Sequence, residues 1–134
     1  MLLQIMGTPD SHQIDGIGGA HPLTSKVSLV GPCDEARADV EYLFLQLGVN
    51  KSTVSDQQNC GNLLAGVAPF AIERGLVEAT STPASVRVLM LNTDSVATAS
   101  CQVANGQPIY QGDTTISGVP GSAAPILLDF EDIA

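Results

Sequence analysis

The sequence predicts an α+β domain in which a curved, mostly antiparallel sheet or partial barrel wraps a central apolar helix. Two observations carry this expectation. From Leu63 to Ile72 no side chain is charged or strongly polar, and Leu63, Leu64, Val67, Phe70 and Ala71 recur at helical spacing. Around that run lie many short strand-like segments, bounded by Gly, Pro and Asn. A helix apolar on every side must be buried on every side, and a curled sheet would bury it. The strands are few for a closed barrel.

The helix is expected over residues 62–74, with Leu64, Val67, Phe70 and Ala71 buried. It is too short to cross a bilayer, which takes about 20 apolar residues. Glu73 and Arg74 return it to water, and Gly75 fits the position just past a helix end. Pro69 should bend it, or mark a first turn that begins later.

Upstream, Leu2, Leu3, Ile5 and Met6 have the pattern of a last helical turn, stopped by Gly7 and Pro9. Residues 13–26 form a glycine-rich loop, where Gly16, Gly18 and Gly19 permit tight turns and close backbone approach to a ligand. Its spacing resembles a dinucleotide loop only loosely, since no clear strand precedes it and no helix follows. Strands are expected at Val27–Val30, ended by Gly31 and Pro32, and at Val40–Leu47, with a further one around Thr53 and Val54. After the helix come Ser85–Leu91 and Val96–Val103, the latter with Ala97, Ala99, Cys101 and Val103 on one face. Asn105-Gly106 signals a hairpin into Pro108–Tyr110. Thr114–Ile116 and Pro125–Phe130 complete the strands.

At 134 residues the chain is one domain by length, and 44% hydrophobic residues suffice for a core. Aromatics are scarce and Trp is absent, so that core is built from Val, Leu, Ile and Ala. A formal charge of −9 argues against nucleic acid and anionic membrane as partners. Cys33, Cys60 and Cys101 make an odd set with no C-x-x-C pair, which suits a reducing compartment rather than a disulfide framework or a zinc site. Met1–Met6 lacks a basic region, a long apolar core and a cleavage site, so the cytoplasm is the expected location.

The candidate chemistry sits at the helix entrance, Asn59-Cys60-Gly61-Asn62. Asn59 can cap, and unpaired amides at a helix start favour a thiolate or hold a carboxylate. The alternative for Cys60 is a small packing thiol at a tight turn. Lys26 opens a strand of uncharged residues, where partial desolvation would make it a better base. The alternative there is a solvated strand-end lysine. His12 and His21 have no partner at metal-ligand spacing and are taken as loop residues. Asp10, Asp15 and Asp113 are taken as turn formers, and no nucleophile-elbow pattern accompanies the serines. Residues 118–125 form a rigid small-residue loop, either a cleft lining or a plain connection.

Several short motifs occur in a fixed order. They are Met6–Asp10, Gln13–Gly19, Leu23–Val27, Ala38–Phe44, Asn59–Asn62, Gly66–Glu73, Asn92-Thr93 and Gly118–Ile126. Over essentially the whole chain this series resembles the PrpF family, which includes 2-methylaconitate isomerase, 3-methylitaconate isomerase and 4-oxalomesaconate tautomerase. The resemblance implies a diaminopimelate-epimerase-like fold, with two similar domains and an active site between them. It implies an isomerase that needs neither metal nor organic cofactor and moves a proton on a small unsaturated di- or tricarboxylate. It assigns the acid–base roles to Lys26 and Cys60. Ser25, Asn59, Gly61, Asn62, Gly18 and Gly19 are the expected substrate contacts. Family members are far longer, so residues 1–134 are expected to be an incomplete N-terminal domain, lacking the upstream opening and the second domain. Homodimerisation, or association with the missing second half, is the expected consequence. The rival expectation is a non-catalytic remnant or subunit that binds a partner chain.

Overall fold

The computed structural model describes residues 1–131. A short helix α1 (Leu2–Met6) is followed by a loop with one 3-10 turn at Pro22–Thr24. The strands are β1 (Lys26–Pro32), β2 (Val40–Leu47), β3 (Val54–Ser55), β4 (Ala84–Met90), β5 (Ser95–Cys101), β6 (Val103–Ala104), β7 (Gln107–Pro108) and β8 (Ile126–Phe130). Between β3 and β4 lie α2 (Gly61–Leu64) and α3 (Val67–Glu73). The main sheet runs β1-β2-β4-β5-β8, with β3 also paired to β2. Every pairing is antiparallel except β2 with β4. The sheet is open, with β1 and β8 as its edges.

Alternation explains how the sheet covers the helices. On β2, Val40, Tyr42 and Phe44 point inward; on β4, Ala84, Val86, Val88 and Met90; on β5, Ala97, Ala99 and Cys101. These pack on Leu64, Val67, Ala68, Ala71 and Ile72 in one core. Small alanines on β5 let α3 approach closely, which a core poor in aromatics requires. A satellite cluster of Ala38, Leu89 and Val96, with Cys33 against it, lies apart from this core.

Polar side chains fix the parallel pairing. The Asp39 carboxylate accepts from the Arg87 backbone at 2.8 Å and from its guanidinium at 3.0 Å, joining the start of β2 to β4. Asn92 then takes over where β4 ends. Its side chain accepts from Phe44 N at 2.9 Å and donates to Phe44 O at 2.9 Å and Asp56 O at 2.7 Å. One amide thus substitutes for a missing strand residue between β2 and the segment beyond β3.

Four expectations need correction. The central helix is two helices, because Pro69 lacks the N–H that would bond Ala65 and its ring crowds that carbonyl. The chain turns at Ala65–Gly66 and restarts, which leaves Pro69 in the first turn of α3. Phe70 is not buried but 44% exposed, since the open sheet leaves one side of α3 uncovered. Gly31 and Pro32 continue β1 rather than end it, which an edge strand tolerates in Pro. Thr114–Ile116 forms no strand; Thr114 makes a single bridge to Ala123. Asn105 and Gly106, with φ of 53° and 73°, form the expected tight turn between β6 and β7.

The glycine-rich loop packs on the end of α1. A Cβ on Gly16 would lie 2.2 Å from Gly7 N and Met6 C, and one on Gly18 would lie 2.3 Å from the Gln13 amide. Gln13 is 2% exposed and donates to Thr8 Oγ1 at 3.3 Å and Ser25 Oγ at 3.1 Å. Gly16→Ala meets backbone, which cannot move aside, and is expected to cost about 3 kcal/mol or more. Gly31→Ala meets nothing within 4 Å and is expected to be nearly neutral. Urea unfolding of the two variants checks the contrast.

Candidate active site

Lys26 is the first residue of β1, and Cys60 is the N-cap of α2. The crossover from β2 to β4 brings the helix entrance back beside the start of β1. Lys26 Nζ lies 3.5 Å from Cys60 Sγ, well inside the roughly 10 Å expected for two groups serving one small substrate. Both residues are half-buried. They line an open pocket of about 300 Å³ together with Leu23, Thr24, Asn62 and Leu63. Among the described residues no carboxylate lies within ion-pair distance of Lys26.

The other expected contacts divide. Gly61 and Asn62 are the first two residues of α2, exposed, with amides that have no acceptor inside the helix. Asn59 does not cap: its side chain donates to Thr93 Oγ1 at 2.9 Å, and Cys60 takes the cap position. With only four residues α2 aligns few peptide dipoles, so the entrance offers free amides rather than the field of a long helix. Ser25 is fully buried and outside the pocket lining, and its hydroxyl donates to His21 O at 2.9 Å, with Gly18 O a longer alternative acceptor at 3.2 Å. Gly18 is buried against Gln13, and Gly19 lies on the exposed side of the same loop. These three hold the loop that presents Leu23, Thr24 and Lys26.

Sequence reasoning assigned no role to Tyr42 beyond strand formation. It is fully buried, and its hydroxyl donates to Cys60 O at 3.2 Å. That carbonyl also accepts from Leu64 N at 3.0 Å, so both its lone pairs are held. In a trans peptide the Gly61 N–H then points the opposite way, out of the helix entrance. The signal available in the sequence was a Tyr on an inward position of a buried strand, because a buried hydroxyl needs a partner.

Burial, with the charge of Cys60 adding to it, pushes the Tyr42 hydroxyl up to about 12. The hydrogen bond to Glu73, followed by burial, pushes Tyr110 up to about 12. Both values exceed the unfolded tyrosine value of about 10. The neutral phenols therefore stabilise the fold fully below pH ~10, and that contribution is lost as pH rises toward 12. Phenolate absorbance during an alkaline titration should rise late for both tyrosines; ionisation near pH 10 in the folded chain would contradict these environments.

Among the described residues no group of three or more His, Cys, Asp or Glu side chains could hold a metal ion. No helix among them is long and apolar enough to cross a membrane.

An open α+β sheet covers a split apolar helix, and at the helix entrance a lysine and a cysteine face each other at the rim of a pocket. The chain belongs to the PrpF family: the family described as PrpF protein matches residues 1–134. It is 53% identical over 133 residues to (4E)-oxalomesaconate Delta-isomerase of a Novosphingobium species, covering 99% of this chain and 37% of that protein. It is 43% identical over 134 residues to 3-methylitaconate isomerase of Eubacterium barkeri, covering 100% of this chain and 35% of that protein. A crystal structure of methylitaconate-delta-isomerase superposes with a TM-score of 0.91 at 42% identity, over 95% of this chain and 57% of that one. The chain therefore spans little more than a third of the length of the curated relatives it matches.

Proposed function

We propose that this chain is one domain of a two-domain, cofactor-independent isomerase or tautomerase that moves a proton on a small unsaturated di- or tricarboxylate. The observation that carries the reading is the 3.5 Å approach of Lys26 Nζ to Cys60 Sγ at the rim of an open pocket. Allylic C–H bonds beside a carboxylate lose a proton to a positioned base, and the C=C bond migrates as a proton returns at the far carbon. One proton leaves and one enters, so Lys26 and Cys60 each serve one end of the transfer. Negative charge that develops on the substrate carboxylate is met by the Gly61 and Asn62 amides and by any lysine charge. The names of the relatives, which are oxalomesaconate and methylitaconate isomerases, support a substrate of this size and class.

The test is solvent deuterium entering 2-methylaconitate or itaconate analogues, followed by NMR, with the purified chain alone and then supplemented with a polypeptide supplying the remaining length of the relatives. Incorporation that vanishes in Lys26→Ala and in Cys60→Ser is the expected result. No incorporation by the supplemented wild type would overturn the reading.

A second reading, a subunit or remnant that binds a partner chain, is favoured by one observation. An apolar groove of about 430 Å³ lies beside Phe70, lined also by Pro69, Ile109, Tyr110 and Ile126. The β1 and β8 edges are unpaired among the described residues. Such surface is rarely left open in a monomer. Sizing with light scattering is expected to show self-association of the isolated chain; a stable monomer over a wide concentration range would count against both the partner and the incomplete-domain readings.

A further inference from the structure

We propose that Lys26 and Cys60 form a peroxide-sensitive modification site, in which oxidation joins Cys60 Sγ to Lys26 Nζ by a covalent S–N bond. The geometry selects the amine. Among the described hydrogen bonds Cys60 Sγ has one partner, Lys26 Nζ at 3.5 Å. All three cysteines are free. Cys101 is 1% exposed on the inner face of β5, and Cys33 packs in the satellite cluster with Ala38, Leu89 and Val96. Cys101 is thus too buried to resolve an oxidised Cys60, and Cys33 borders a different cluster from the core that Cys60 packs against. The pocket is open to solvent, so a small oxidant reaches the sulfur.

The chemistry balances with hydrogen peroxide as the oxidant. The Cys60 sulfur attacks peroxide and the O–O bond breaks; one oxygen stays as the sulfenic acid and the other leaves as water. The lone pair of Lys26 Nζ then attacks Sγ, the S–O bond breaks, and the hydroxyl departs as water with a proton from nitrogen. Overall one thiol, one amine and one peroxide give the S–N bond and two waters. Sulfur loses two electrons and peroxide gains them. Thiol reductants reverse the step by attacking sulfur and releasing the amine. A single bond thus masks both groups of the pair and shields the sulfur from irreversible oxidation to the sulfinic acid.

The inference rests on the geometry of the pair and not on the proposed reaction, so its readout is mass rather than activity. The chain, in a Cys33→Ser/Cys101→Ala background that excludes disulfides, is treated with peroxide and digested for mass spectrometry. The expected product is a peptide pair containing Lys26 and Cys60, about 2 Da lighter than the sum of the reduced peptides and restored by dithiothreitol. In Lys26→Arg the amine nucleophile is lost, so Cys60 should instead gain oxygen atoms of about 16 Da each. If the double background unfolds, the same digest of the wild-type chain reads the same linkage directly. An unchanged thiol, oxygen addition alone in the wild type, or a loss of about 2 Da that persists in Lys26→Arg would each overturn the proposal.

Discussion

Cys60→Ser and Lys26→Ala, each made in a protein completed to the length of its relatives, are expected to lower turnover by about 10²–10⁴-fold, the range that one positioned acid or base contributes. Stability should hardly change. Both residues are half-buried at a pocket rim, and Cys60 borders the core without being enclosed by it. Cys33→Ser should leave turnover near wild type, because Cys33 sits in the satellite cluster. Cys101→Ser is a different control. Its thiol is 1% exposed, so a hydroxyl there should cost about 1–3 kcal/mol of stability while turnover per folded molecule stays intact. Steady-state kinetics beside denaturant curves separate these effects. A Cys60→Ser protein that turns over normally would remove the acid–base assignment, and the residue would revert to a packing thiol.

Phe44→Ala is expected to destabilise the domain by about 3–5 kcal/mol, and Phe70→Ala by only about 1 kcal/mol or less. Phe44 is 1% exposed on the central strand β2, and removing its ring leaves a cavity between the sheet and α2–α3. Phe70 is 44% exposed and borders the open groove, so little contact is lost. Against a typical domain stability of about 5–15 kcal/mol, the first change removes a large share. Urea midpoints at constant slope measure both. Equal costs would mean that the side of α3 bearing Phe70 is covered in solution, which self-association or a partner chain would do.

Much of the fold was legible in local pattern. The β2 bounds, Val40–Leu47, follow from a mostly apolar run, interrupted only by Glu41 and Gln46, on a strand buried on one face and half-covered on the other. The shared face of Ala97, Ala99 and Cys101 follows from the two-residue strand period, and the β6–β7 turn from Asn105-Gly106. The pair Lys26 and Cys60 was legible as candidates because each has a reactive side chain at the start of a regular element. Their resemblance to family motifs supplied the roles. Asn92 and Thr93 were visible only as one motif in the series, since a side chain that completes a sheet 48 residues away leaves no local trace.

Composition and periodicity by themselves determined that this chain builds a sheet over an apolar helical segment, because burial demand and side-chain period are properties of short stretches. The tertiary structure alone decided three things. It left one side of α3 open, so that Phe44 and Phe70, equally apolar in the sequence, have opposite environments. It packed the glycine-rich loop against the end of α1, with Gln13 filling the space that Gly18 leaves. It set Lys26 beside Cys60 across 34 positions. The first and third depend on the β2–β4 crossover, a long-range pairing whose contacts no local window of sequence contains.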